Sequence, residues 1–474
     1  MKPSQLVDLH SHSLAWRWFE RARLLGVLAG AALSPGCLKA PDRYAQSTLD
    51  VKLNPPATFE VDGKPFCFAG TNNYYPIFKP KPVVDDLFDA ARALNLKVMR
   101  VWGMLDRGSL DGSVPNTDGP GERQGVYFQY WDPARRRPAY NDGENGLQRL
   151  DYVLAAAAKN DIKVIVVLVN NWRAFGGIDQ YLTWYGRNKH HEFFTAPEVK
   201  QAYRDWVKHV ITRTSSVTAV KYAEDPTVFA WELANEPRCK GGNAFDTATG
   251  WDKSTITDWA AEMSGYIKSL DPNHLVSVGD EGFLDGGGDH WTYEAKDGVD
   301  HAALTALPHI DFGTFHLYPE DWGTPENFGE RWIIDHLKVA RELDKPTMLE
   351  EYGLKVNRTQ GNLGDVSEGW VQRRDTYRRW NEIMLERGGN AALPWMLAGI
   401  DEDKPRYPDY DKFVFYRDDE TGKLIGDYGA RFLTAPACQV HTASSTSGAS
   451  PFVRVRRRPE RVALGWIEDD RPAL

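Results

Sequence analysis

Two glutamates end apolar runs that lie far apart in the chain. Glu236 closes "TVFAWELANE" (227–236), and Glu351 sits in "PTMLEEYG" (346–353). Burying a strand that ends in an ionisable carboxylate costs desolvation unless something pairs or uses the charge. Two carboxyl groups flanking one bond have such a use in acetal hydrolysis, where one attacks the anomeric carbon while the other protonates the departing oxygen. The nucleophile is served by hydrogen-bond donors and a nearby cation, and Arg100 and Tyr318 are of the right types. The proton donor needs a raised pKa, from burial and from its negative neighbour. His316 is a candidate to orient it, Asn235 to bond a sugar hydroxyl, and Trp102 and Trp395 to offer flat faces to a sugar ring.

Each of these residues alone has an ordinary explanation as an ion-pair partner, a core tryptophan or a satisfied histidine. Glu350 and Glu351 are adjacent, and a regular strand turns neighbours to opposite faces, so at most one readily serves a common site. Convergence is what favours a site, and convergence is a property of the elements. Eight apolar runs read as strands: 66–72, 97–103, 162–170, 227–236, 274–282, 311–319, 346–353 and 390–399. Amphipathic stretches at 83–94, 146–160, 197–214, 254–270, 325–343 and 367–388 read as helices between them. Near-continuous apolar strands alternating with helices imply a parallel sheet covered on both faces. Eight such units fit an α/β fold of the (β/α)8 TIM-barrel type, with enlarged loops at the C-terminal face of the strands. A doubly wound open sheet is the alternative, weakened by the lack of a GxGxxG turn after the first strand. In a barrel the strand C-termini share one rim. That rim would gather Arg100, Trp102, Asn170, Asn171, Trp172, Asn235, Glu236, Asp280, Glu281, His316, Tyr318, Glu350, Glu351 and Trp395. The long loops 104–145 and 283–310 would shape a cleft over it.

The chain has 474 residues, 42% of them hydrophobic and 12% aromatic, with 17 Trp and a net charge of −9. No basic stripe points to nucleic acid, and the acidic balance argues against it. Arg17, Arg21 and Arg23 precede an apolar run at 24–33, too short to span a bilayer but of signal-peptide form. "SPGC" (34–37) then resembles a lipoprotein cleavage box, which would put a lipid on Cys37. Three regions are expected: 1–50 as export segment and linker, 51–436 as the barrel, and 437–474 as a Ser/Thr- and Arg-rich tail without order. The four cysteines, Cys37, Cys67, Cys239 and Cys438, show no zinc spacing, and their pairing is open.

"WELANEP" (231–237) followed by "EEYG" (350–353) resembles glycoside hydrolase family 5, and its endo-β-1,4-mannanase branch in particular. Residues 168–186, 193–239, 279–283, 312–319 and 345–353 are similar to those enzymes in order and spacing. The resemblance implies Glu236 as general acid/base and Glu351 as nucleophile of a retaining reaction. It implies Arg100, His316 and Tyr318 as the shell around the pair, Asn235 as a sugar and nucleophile contact, and Trp395 as the platform at the cleavage point. Arg238 would reach the leaving-group side, and Glu232, Glu281 and Glu350 would support. The expected substrates are β-mannan polysaccharides and manno-oligosaccharides, with no cofactor, metal, nucleic acid or protein partner. The expected location is outside the cell or on its surface. A family 5 cellulase-type β-1,4-glycanase and a non-catalytic polysaccharide-binding protein are the competing readings.

Overall fold

The computed structural model describes residues 57–114, 125–325, 327–356, 368–435 and 450–457. Eight parallel strands form one sheet. They are β1 (Phe68–Asn73), β2 (Val98–Trp102), β3 (Lys163–Val167), β4 (Val228–Glu232), β5 (Leu275–Ser277), β6 (Gly313–Leu317), β7 (Thr347–Tyr352) and β8 (Ala391–Pro394). Around the sheet they run β6-β7-β8-β1-β2-β3-β4-β5, so the last strand pairs with the first. The seam between β5 and β6 is bridged by single bonds. The Asp311 amide donates to Val276 O at 2.9 Å, the Val276 amide to Asp311 Oδ2 at 2.7 Å, and the His316 amide to Glu281 O at 3.1 Å. The sheet is a (β/α)8 barrel, as the alternation of runs predicts.

The principal helices follow the strands: α1 (Lys81–Ala93), α2 (Gln148–Lys159), α3 (Pro197–Ile211), α4 (Ser254–Leu270), α5 (His301–Ala306), α6 (Phe328–Leu343), α7 (Glu368–Glu386) and α8 (Glu420–Leu433). Strands covered on both sides need apolar residues at every position, and β3 shows it, with Val164, Ile165, Val166 and Val167 all fully buried. α1 buries Val83, Val84, Leu87, Phe88, Ala90 and Ala91 and carries a proline in its first turn, where a missing N–H costs nothing. Among the described residues no helix is long and apolar enough to cross a membrane.

Four features differ from the sequence expectation. The loop 104–145 contains an antiparallel hairpin, Gln129–Asp132 with Arg137–Tyr140, whose turn is held by Asp132 Oδ1 accepting from the amides of Ala134 and Arg135. The loop 283–310 contains α5, capped by the Asp300 side chain. The helix α8 completes the last βα unit, its first turn anchored by Asp419 accepting from the Gly422 amide. The largest difference is in the tail, expected to be without order. Arg454–Arg456 forms a strand antiparallel to Thr58–Val61 across the N-terminal end of the barrel. Val453 is 1% exposed and joins Phe59, Phe68, Phe229, Phe312 and Met348 in an apolar floor. The cause is local, because Phe452 and Val453 give the Arg-rich segment apolar side chains to bury and the exposed strand edge gives it a partner. Cys67 is disulfide-bonded, and Cys239 is a buried free thiol.

Candidate active site

The site is organised by Arg100, in the middle of β2 and fully buried. A guanidinium offers five donors in a fixed plane, and Arg100 uses them on residues of three other strands or strand ends. Nε lies 3.0 and 3.2 Å from the two oxygens of Glu232, and Nη2 reaches Glu232 Oε1 at 2.6 Å and Asn235 Oδ1 at 2.7 Å. Nη1 donates to Asn72 Oδ1 at 3.2 Å and, by a shorter contact, to Glu351 Oε1. The other Glu351 oxygen accepts from Tyr318 Oη at 2.8 Å. Glu351 arrives from β7 and Tyr318 from the end of β6, so closure of the barrel is what joins them.

Glu236 lies beyond β4 at φ +51, a left-handed conformation that costs a non-glycine residue about 1 kcal/mol or more. The surroundings fix it there. Its amide donates to Gly279 O, and that of Asn235 to Val169 O, both at 2.8 Å. Only glycine fits at 279, with φ +83 and a Cβ that would fall 2.1 Å from Ala234 O. Glu236 Oε1 is 2.7 Å from His316 Nδ1, and Oε2 accepts from Trp172 Nε1 at 2.5 Å. His316 Nδ1 is also 3.7 Å from Glu351 Oε2. One atom each of Glu236, His316 and Glu351 lie within 4.8 Å of one another.

Glu350 and Glu351 both point into this cluster, contrary to the alternation of a regular strand. Glu350 Oε2 lies 3.7 Å from Arg100 Nε and 3.6 Å from His316 Nε2. The pairing register shifts between Leu349 and Tyr352 on one side of β7 and between Phe315 and His316 on the other. Such a bulge re-aims side chains next to it.

The electrostatics of the site invert the simple expectation for an acid and a nucleophile. Burial pushes the Glu236 carboxyl up, but the hydrogen bond and charge of His316, with Arg238 and Trp172, hold it down at about 2. Burial also raises Glu351, and there His316 and Arg100 offset it only in part. Burial alone would lower His316, yet the carboxylates of Glu351, Glu236 and Glu350 raise it well above its ordinary value. The carboxylates around the ring thus favour its charged form, and its Nδ1 lies 2.7 Å from Glu236 Oε1.

Trp395, partly exposed, donates from Nε1 to Asp411 Oδ2 at 2.8 Å and stacks on Tyr74 with centroids 6.0 Å apart. Arg238 forms a two-pronged pair with Glu281, at 2.5 and 2.6 Å, and lies over Phe283 and Trp172. Two expected sugar contacts have other duties. Trp102 is 4% exposed, with Arg100 over its ring and Trp395 against it, so it supports the platform and offers no free face. Asn171 is fully buried, and its Oδ1 accepts from the Arg238 amide and meets His190 Nε2, both at 3.0 Å. It braces the turn that carries Arg238. Asn235 is buried between Arg100 and Asn170.

Three residues at the site were not singled out from sequence. Asn72 lies near the end of β1 and Tyr74 just beyond it, in a "GTNNYY" stretch with the same strand-end polarity as the others. Asp411 lies in a loop with no sequence signal of its own.

A family model described as GH family 5 beta-mannosidase-like matches residues 56–401. The chain belongs to glycoside hydrolase family 5. Among family 5 relatives, mannan endo-1,4-beta-mannosidase F of Aspergillus clavatus is 41% identical over 302 residues, which are 63% of this chain and 63% of the relative. The chain thus spans just under two thirds of that relative's length. A probable mannan endo-1,4-beta-mannosidase F of Aspergillus flavus is 37% identical over 78% of this chain and 71% of its own length. The crystal structure of an endo-1,4-beta-mannanase from Rhizomucor miehei is similar with a TM-score of 0.70 and 34% identity, covering 81% of this chain and 99% of that one.

Proposed function

We propose that the protein is a secreted endo-β-1,4-mannanase that cleaves internal bonds of mannan, glucomannan or galactomannan with retention of configuration. The observation that carries the reading is the approach of Glu236 and Glu351, with oxygens within 4.8 Å of each other at one buried histidine. Retaining glycosidases hold their carboxyl groups about 5–5.5 Å apart, whereas inverting ones leave room for a water. The names of the relatives support mannan as the substrate, and the aromatic platform beside the pair suits a sugar ring.

In this mechanism Glu351 attacks the anomeric carbon as the carbon–oxygen bond to the leaving sugar breaks. Glu236 gives its proton to the departing oxygen, leaving a glycosyl ester on Glu351. Glu236, now a carboxylate, takes a proton from water, whose oxygen attacks the same carbon and frees Glu351. Atoms balance over the cycle, and the proton lost in the first half returns in the second. Arg100 and Tyr318 stabilise the Glu351 carboxylate as it leaves the ester. The proton held by His316 passes to Glu236 along their 2.7 Å contact. When substrate covers the cleft and excludes water, separated charge there becomes more costly and the neutral pair is favoured.

Product analysis tests the reading. Sugar release from galactomannan, with the β-anomer formed first by proton NMR, is the expected result. Release only from a soluble cellulose derivative would overturn the substrate, and the α-anomer first would overturn the mechanism. Export rests on Arg17, Arg21 and Arg23 before the apolar run 24–33 and is supported by the disulfide at Cys67, a bond of oxidising compartments. N-terminal sequencing of protein recovered from the medium or the cell surface would check it, and an uncleaved chain kept in the cytosol would contradict it.

A further inference from the structure

Glu350 has no role in the steps above, yet it is a fully buried carboxyl whose two oxygens have no hydrogen-bond partner within ordinary distance among the described residues. A buried charge persists where something pairs it. Two nitrogens face it. Arg100 Nε, at 3.7 Å, already donates to both oxygens of Glu232. His316 Nε2, at 3.6 Å, is itself buried and without a hydrogen-bond partner. The Glu350 carboxylate is thus shared with Glu232 and Arg100, and it is the group that faces the otherwise unmatched ring nitrogen.

We propose that Glu350 is a positioning residue for the general acid, holding the Nε2–H of His316 and so keeping Nδ1 on Glu236 Oε1, where the acid proton is stored. The inference rests on the reading of Glu236 as the acid. With Nε2–H fixed, the imidazole has two states. When neutral, its bare Nδ1 accepts from protonated Glu236. When charged, its Nδ1–H donates to the Glu236 carboxylate. The proton moves along one line and no ring flip is needed. If Nε2 were unheld, the opposite neutral tautomer would be open, with the proton locked on Nδ1 and Glu236 left as a carboxylate. A second partner that fixes the tautomer is a recurrent device around functional histidines.

The charged and titratable groups around the ring agree with this assignment. Nδ1 faces Glu236 from beyond β4 and Glu351 from β7, whereas Nε2 faces Glu350. Glu281 also interacts with the ring electrostatically, and Arg238 with Glu236. Arg100 and Glu232 both face Glu350, and Tyr318 faces Glu351. Burial opposes charge on Glu350, and Arg100 and His316 outweigh it and hold that carboxyl below its ordinary value.

The test compares a leaving group that needs protonation with one that does not. For Glu350→Ala, kcat on mannohexaose should fall about 30-fold, in the range found for partners that orient functional histidines. On a dinitrophenyl β-mannobioside the loss should be threefold or less, on the order of a change without acid catalysis. Glu350→Gln, whose amide oxygen still accepts, should recover most of the loss. Equal losses on both substrates, or none on either, would overturn the proposal. Glu236→Ala serves as reference. If it shows no leaving-group dependence, the reading of Glu236 has failed; if it does and Glu350→Ala does not, only this inference has. Nitrogen-15 NMR of the wild-type protein gives a check that needs no variant. His316 Nε2 should stay protonated from about pH 5 to 8, and a bare Nε2 would contradict the proposal.

Discussion

Tyr318 donates to Glu351 Oε2 at 2.8 Å while Arg100 holds Oε1 from the opposite side, so one buried carboxylate is tied to donors from two separate strands. Tyr318→Phe keeps the ring and removes one donor. In the proposed mechanism that donor matters most as negative charge returns to Glu351, so kcat on mannohexaose should fall by about 10- to 100-fold, with a smaller change in KM. Steady-state kinetics check this, and an unchanged kcat would remove Tyr318 from the reaction.

Glu236 makes stability depend on pH. Its folded-state value is about 2 against an ordinary 4.5. A depressed carboxyl contributes stability that is fully present above the unfolded value and is lost as the pH falls through the folded one. The Tm difference between wild type and Glu236→Gln should therefore be constant at pH 5–7 and shrink between about pH 4.5 and 2. A difference that grows on acidification would contradict the His316–Glu236 pairing.

The barrel, its strand ends and the two rim glutamates of the proposed mechanism are legible in the sequence because each is written locally. β-branched runs such as Lys163–Val167 announce strands, and polar residues after them announce a rim. Register irregularities are not written there. Nothing in "LEEY" says that β7 bulges and turns Glu350 inward with Glu351. Burial competition is also invisible. Trp102 and Asn171 have the right types at the right ends, but Arg100 covers one and the turn bearing Arg238 consumes the other. The tail strand was hidden for a third reason, since its partner Thr58–Val61 lies almost 400 residues away and its apolar content is only Phe452, Val453 and Val455.

Asp411 anchors Trp395 through a 2.8 Å bond from the indole N–H. Trp395→Ala should cost at least about 1–3 kcal/mol of transition-state binding, the scale of a ring stacked on an aromatic face. Asp411→Ala leaves the ring in place but unanchored, and should raise KM for mannohexaose severalfold with a smaller effect on kcat. Paired kcat and KM values for the two variants test the order of these effects.

Val453 closes the apolar floor at 1% exposure. Val453→Asp would place an unpaired carboxyl there, costing about 2 kcal/mol or more. Thermal unfolding should shift down by several degrees, while kcat at 25 °C stays near wild type because the catalytic rim is at the other end of the barrel. An unaltered Tm would mean that the tail strand does not hold the floor in solution.

The most direct test of the central claim is to trap the sugar on the enzyme. A 2-deoxy-2-fluoro-mannosyl fluoride slows both halves of a double displacement and lets the glycosyl ester accumulate. Peptide mass spectrometry should then find one fluorosugar on the peptide containing Glu351, and Glu351→Ala should take up none. A label on any other residue would contradict the account.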